Sequence, residues 1–131
     1  MIYLDTSFVI AAIEDAGAAG NKARQALAGQ TDERFAVSTL VVLESLVLPL
    51  RTDDYRTRLS YERFFETLEV LNLDEPVMVR AAELRAKHTI STTDAIHLAC
   101  ADFNLCTDFW TNDKRLNKVA NGLTVKVFPA L

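Results

Sequence analysis

The stretch Ile2-Tyr3-Leu4-Asp5-Thr6-Ser7-Phe8-Val9-Ile10-Ala11-Ala12-Ile13 decides how the chain is read. Three β-prone residues come first, then a polar step with helix N-cap chemistry, then an apolar run at 8–13. The order strand, capped turn, helix recurs downstream. Phe35-Ala36-Val37 is a second short strand with Ser38 as its cap. The run 39–48 fits buried helix or buried strand by periodicity alone, and its length and leucine content favour helix. Val70-Leu71 is a third strand, and Asp74-Glu75-Pro76 opens a helix along which Val77, Ala81, Leu84 and His88 recur. Ser91-Thr92-Thr93-Asp94 starts another helix, to about 104. A strand at 107–111, a short helix at 114–119, a turn at Asn121-Gly122 and a strand at 125–127 close the chain. Between these, Gly17 and Gly20 are expected to break the first helix, with a second at 21–28. The segment 53–68 is amphipathic, with Leu59, Phe64, Phe65 and Leu68 near one face. Strands alternating with helices predict an α/β sandwich with a mostly parallel sheet.

The 131 residues fit one domain, 1–131, and the 50% hydrophobic and 24% charged composition excludes a disordered chain. The two cysteines, Cys100 and Cys106, form no CxxC pair, which points to a reducing compartment. The start has no signal-peptide pattern. The apolar run 40–50 contains Glu44 and Pro49 and is too short to span a membrane, so a soluble, cytoplasmic protein without a membrane partner is expected. The net charge of -4 disfavours a simple basic nucleic-acid module, although cations bound to carboxylates would reverse the local field. No phosphate-cradling glycine motif occurs. Ser7, two residues after Asp5, excludes the phosphatases whose first strand ends in Asp-x-Asp.

Ligands of parallel sheets gather outside the carboxyl ends of the strands. Asp5 and Asp113 follow strands there. Glu44 lies inside Leu40-Val41-Val42-Leu43-Glu44-Ser45-Leu46, and Asp94 precedes Ala95-Ile96-His97-Leu98. A carboxylate in an apolar run is costly unless paired or bound to metal; Glu44 either reaches the surface, pairs with an arginine or holds a cation. Taken singly, each acid reads as structural before it reads as catalytic: Asp5 as an N-cap, Asp94 as the acid of a Ser91-x-x-Asp94 capping box, and Asp113 as a turn residue. His97 reads as a satisfied core residue, with an Asp94-x-x-His97 metal pair as the alternative. His88 reads as a partner of a helix C-terminus. The segment from Arg51 to Arg63, with Tyr55 and Tyr61, is either a solvated helix face or a track for RNA backbone with tyrosines stacking on bases.

Leu4-Asp5-Thr6-Ser7, Glu44 after its apolar run, Thr93-Asp94-Ala95-Ile96-His97-Leu98-Ala99 and Phe109-Trp110-Thr111-Asn112-Asp113-Lys114-Arg115-Leu116, in this order, resemble the PIN-domain nucleases, and among them the VapC-type toxins. The resemblance implies a PIN-like three-layer α/β/α sandwich and a Mg²⁺-dependent endoribonuclease, with Mn²⁺ able to substitute. A metal-activated water would hydrolyse RNA, leaving 5′-phosphate and 3′-hydroxyl ends. The acidic positions fall on Asp5, Glu44, Asp94 and Asp113. Asp5, Asp94 and Asp113 would hold the ion, and Glu44 would orient a water or take a second ion. Thr6, Ser7, Thr111 and Asn112 fall at positions for orientation or phosphate contact. Lys114 and Arg115 would meet phosphates. The resemblance further implies a cognate antitoxin and a homodimer. The alternative is a catalytically inactive PIN-like module that binds RNA or protein.

Overall fold

In the computed structural model, which describes residues 1–119 and 122–128, β1 (Ile2–Leu4) is the middle strand of a five-stranded sheet of order β3-β2-β1-β4-β5. Its neighbours are β2 (Phe35–Ser38) and β4 (Asp108–Thr111), with β3 (Glu69–Leu71) and β5 (Thr124–Val127) at the edges. Every pairing is parallel; Tyr3 lies opposite Ala36 and Phe109, and Leu4 opposite Trp110. A central parallel strand is covered on both faces, so Ile2, Tyr3 and Leu4 are all buried instead of alternating in and out.

The strand order runs one way from β1 to β3 and the other way from β1 to β5. Right-handed crossovers therefore place α1 (Thr6–Glu14), α2 (Ala18–Ala28), α3 (Thr39–Arg51) and α4 (Tyr55–Glu66) on one face. They place α5 (Glu75–Lys87) and α6 (Thr92–Phe103) on the other. The packing agrees, since α1 meets α2, α3 and α4, and α5 meets α6. This is the expected three-layer α/β/α sandwich. A 3₁₀ helix, Lys114–Val119, follows β4. The order reverses between β1 and β4, which opens a crevice at their carboxyl ends. Phe8, Trp110 and Phe128 pack beneath it at centroid distances of 4.8 to 5.4 Å, and Tyr3 stacks on Phe109 at 5.3 Å.

Several local expectations need correction. Gly20 does not break a helix: α2 starts at Ala18, after Gly17 as N-cap, and runs through it. A Cβ at Gly20 would lie 1.8 Å from the Asp15 carbonyl oxygen, so the glycine serves a close approach between α2 and the end of α1. The segment 53–68 starts its helix only at Tyr55, because Asp53 takes a left-handed φ of 52° and the Asp54 side chain caps the helix by accepting from the Thr57 N–H. The run 39–48 is a helix but not a buried one. It continues through Pro49 to Arg51, burying Val41, Ser45 and Pro49 while Leu43, Val47 and Leu50 stay exposed. Ser38 occupies the N-cap position of α3 without capping it through its side chain. Asn121, half of the expected turn, lies outside the described residues; Gly122 has a φ of 92°. Among the described residues, no helix is long and apolar enough to cross a membrane.

Gly20→Ala should lower stability by about 1–3 kcal/mol through overpacking, although alanine is the better helix former. A urea midpoint at or above the wild-type value would show that α2 can move off the Asp15 carbonyl.

Candidate active site

Asp5 directly follows β1 and caps α1. Its backbone N–H donates to the Trp110 carbonyl at 2.9 Å, which ties the turn to β4. One carboxylate oxygen, Oδ1, accepts from the Thr6 N–H at 2.9 Å. The other, Oδ2, accepts from Thr111 Oγ1 at 2.6 Å and Ser7 Oγ at 3.2 Å. The two hydroxyls also fix the loop after β4: Ser7 Oγ accepts from the Asn112 N–H, and Thr111 Oγ1 from the Asp113 N–H, each at 3.0 Å. Asp5 is 6% exposed. Burial pushes its pKa up; His97, the Thr111 hydroxyl and the Thr6 amide oppose the shift, and the charge of Asp94 adds to it.

Glu44 reaches the same place from α3. Its Oε1 accepts from Thr6 Oγ1 at 2.7 Å and lies 2.7 Å from His97 Nε2. Chiefly through the His97 bond, its pKa falls below the ordinary carboxylate range, against the opposing effect of partial burial. His97 is 2% exposed, and its Nε2 is also 3.6 Å from Asp5 Oδ1. The other ring nitrogen, Nδ1, lies 2.8 Å from the Tyr3 hydroxyl, which donates to Ser38 Oγ at 2.9 Å.

Asp94 sits in the first turn of α6. Its N–H donates to Ser91 Oγ at 3.1 Å, half of the expected capping box. Its carboxylate accepts no hydrogen bond among the described residues, while its charge acts on Asp5 and on Arg115. Asp113 is held by Arg115, whose Nε lies 3.0 and 3.1 Å from the two carboxylate oxygens and whose Nη2 lies 2.5 Å from Oδ2. That bidentate contact holds the Asp113 pKa below the usual range. A cavity of about 510 Å³ opens beside this pair, lined by residues 88–91, Asp94, Arg115 and Leu116.

Asp5 and Glu44 thus meet through Thr6 and His97. Asp113 joins them through Thr111, and Asp94 faces them through its charge. Among the described residues, no group of three or more His, Cys, Asp or Glu is arranged to hold a metal ion. Asp5, Glu44 and His97 lie close together, with His97 Nε2 2.7 Å from Glu44 Oε1 and 3.6 Å from Asp5 Oδ1. Glu44 has no arginine partner among the described residues; its side chain stays 29% exposed and is met by Thr6 and His97. Thr6, Ser7 and Thr111 contact the acids directly, whereas Asn112 reaches only Ser7, its N–H donating to Ser7 Oγ; its side-chain oxygen is buried without a partner among the described residues.

Tyr3, Ser38 and the bond from His97 to Glu44 were not legible as site features. The available signals were a tyrosine two residues before Asp5 and a histidine three residues after Asp94. Tyr61 cannot stack on a base, being buried and bonded to Glu14; Arg58 pairs with Glu62 at 2.6 Å, as on a solvated helix face. His88 is the C-cap of α5. Burial pushes the Cys100 and Cys106 thiols up to about 12 and about 11, which removes them as nucleophiles near neutral pH.

A family model for the PIN domain matches residues 2–122. A comparison with curated proteins finds no match. Among solved structures, the fold is similar to VapBC2 from Rickettsia felis bound to a promoter DNA fragment, with a TM-score of 0.80 at 18% identity over 98% of this chain and 99% of that one. It is similar to a toxin–antitoxin complex from Klebsiella pneumoniae, with a TM-score of 0.79 at 21% identity over the whole of both chains. It is also similar to the sarcin–ricin loop cleaving toxin VapC20 of Mycobacterium tuberculosis, with a TM-score of 0.78 at 20% identity over 96% of this chain and 99% of that one.

Because burial favours the protonated Asp5 carboxyl, the folded chain binds that proton more tightly than the unfolded one. Stability is therefore lost as pH rises through the raised pKa. Asp5→Asn imitates the neutral form. It should stabilise the metal-free protein near neutral pH by about 0.5–2 kcal/mol, with the gain shrinking in acid. Urea midpoints across a pH series measure this; a gain that grows in acid would contradict the assignment.

Proposed function

Because the chain belongs to the PIN domain family, we propose that it is a Mg²⁺-dependent endoribonuclease acting as the toxin of a toxin–antitoxin pair. The observation that carries this reading is Asp5. Its carboxylate is nearly out of water, accepts three hydrogen bonds and still has a raised pKa, so it favours a nearby cation. The donor set is all oxygen: Asp5, Asp94 and Asp113, with Glu44 beside Asp5. Such a set suits a hard divalent ion, Mg²⁺ or Mn²⁺. Asp5, Asp94 and Asp113 would hold the ion. Once bound, it supplies charge neutralisation at the scissile phosphate and a water acidic enough to attack near neutral pH.

The chain's own residues do the rest. Ser7 and Thr111 orient Asp5 while fixing the loop that carries Asp113. Both Thr6 and His97 bond Glu44 at Oε1, leaving Oε2 to orient the attacking water. Arg115 pairs with Asp113; were Asp113 to hold the ion instead, the guanidinium would be available to an RNA phosphate. The adjacent cavity of about 510 Å³ is large enough for a nucleotide. For the partners, a cognate antitoxin and a second copy of this chain, support comes from the toxin–antitoxin complexes among similar folds and from exposed Leu43, Val47 and Leu50 on α3. A soluble cytoplasmic location accords with this role.

Asp5→Asn should cut RNA cleavage by about a hundredfold or more, and EDTA should stop it reversibly. Cleavage that survives either treatment rules the mechanism out. The inactive-module alternative predicts no stabilisation by Mg²⁺ or Mn²⁺ through these acids, whereas an active site gains stability on binding. Arg115→Ala should weaken RNA binding and reduce the slope of log affinity against log salt by about 0.7–1, one phosphate contact. A full-strength slope would remove Arg115 from the RNA interface.

A further inference from the structure

Within the nuclease reading, on which this step rests, we propose that His97, anchored by Tyr3 and Ser38, is the positioning residue that holds the Glu44 carboxylate at the site. Four separate elements supply the chain of contacts. Ser38 Oγ ends β2, the Tyr3 hydroxyl rises from β1, His97 comes from α6 and Glu44 from α3, at successive distances of 2.9, 2.8 and 2.7 Å. The first three residues are buried, so water does not compete for these bonds.

The chemistry of each atom gives the chain a direction. An ionised carboxylate only accepts, so the nitrogen facing Glu44 must carry a proton. The Tyr3 hydroxyl gives its one proton to Ser38 Oγ and meets Nδ1 through an oxygen lone pair, so Nδ1–H donates to Tyr3 and Nε2–H to Glu44. Tyr3 is itself immobilised, fully buried and stacked on Phe109 with the rings 7° from parallel. A flipped His97 ring would lose the Glu44 and Tyr3 contacts together. Thr6 Oγ1 adds a second donor to the same Oε1, while Oε2 accepts no hydrogen bond among the described residues. A glutamate on a half-exposed helix face would otherwise sample several rotamers. Held in this way, it presents one defined oxygen. Groups standing behind an oxygen ligand or base in this manner are typically worth about 10–100-fold in activity or metal affinity.

Tyr3→Phe is the discriminating variant, because it keeps the stacked ring and removes only the hydroxyl. Its kcat on RNA should fall about 10–100-fold with KM little changed. His97→Gln, which keeps an N–H donor near the Nε2 position, should retain more activity than His97→Leu. A readout independent of catalysis is the ¹⁵N spectrum of the His97 ring. In wild type Nε2 should carry a proton, and in Tyr3→Phe the Nδ1 resonance should shift. Wild-type kcat in Tyr3→Phe, equal loss in the two His97 variants, or an unprotonated Nε2 in wild type would each overturn the proposal. If wild-type protein cleaved no RNA with any divalent ion, the nuclease reading would fail by itself, and the nitrogen spectrum would then decide the contact chain alone.

Discussion

Taking the Asp5 carboxylate out of water at the carboxyl ends of β1 and β4 is the constraint around which the rest is arranged. An ion of this size costs several kcal/mol to bury unless its lone pairs are met. The donors come from both sides of the topological reversal: the Thr6 amide and Ser7 hydroxyl from the start of α1, and the Thr111 hydroxyl from the end of β4. They can meet only if β1 and β4 are in register, with Leu4 opposite Trp110. The same hydroxyls then accept from the backbone of Asn112 and Asp113. The strand pairing, the helix cap and the turn leading to the next acid therefore answer to one charge. Burial still outweighs the donors, since the pKa stays raised.

The neighbouring acids are treated differently, and the contrast has chemical content. Asp113 is met by a guanidinium at the surface and Glu44 by a buried imidazole; both are held ionised, while Asp5 is pushed the other way. Carboxyl groups whose environments drive their pKa values apart within one small cleft are a recurring mark of functional sites. Asp94, without a hydrogen-bonded partner for its carboxylate among the described residues, adds negative field at Asp5 and attracts Arg115.

The architecture was legible because periodicity and capping chemistry are local. The βαβ order, the parallel sheet and the strand ends carrying Asp5 and Asp113 all follow from short windows. Where local reading failed, a distant partner decided the outcome. Gly20 reads as a break until the Asp15 carbonyl is seen against it, and Ser38 reads as a cap until the Tyr3 hydroxyl claims its oxygen. His97, in Ala-Ile-His-Leu-Ala, has the signature of a core residue. It is one by burial, yet its ring joins α6 to α3 across the sheet edge, a contact 53 residues apart in sequence. No window short enough to show periodicity contains such a pair. Among the acids, Glu44 was conspicuous because a charge within an apolar run demands a reason. The reason, Thr6 and His97, required the fold.

The helix α3 shows how one element carries two obligations. Successive residues on a helix point about 100° apart, so Glu44 can turn toward Thr6 and His97 while Leu43, Val47 and Leu50 form a stripe on the outer side. The Glu44 side chain keeps 29% exposure, so the site reaches the surface beside that stripe. A partner that covers the leucines and valine lies against the helix that presents Glu44, and it narrows the approach to the acid without touching the buried imidazole behind it. The exposed stripe and the acid thereby share α3. The link is steric and passes through a rigid, packed element, so it needs no conformational change to operate.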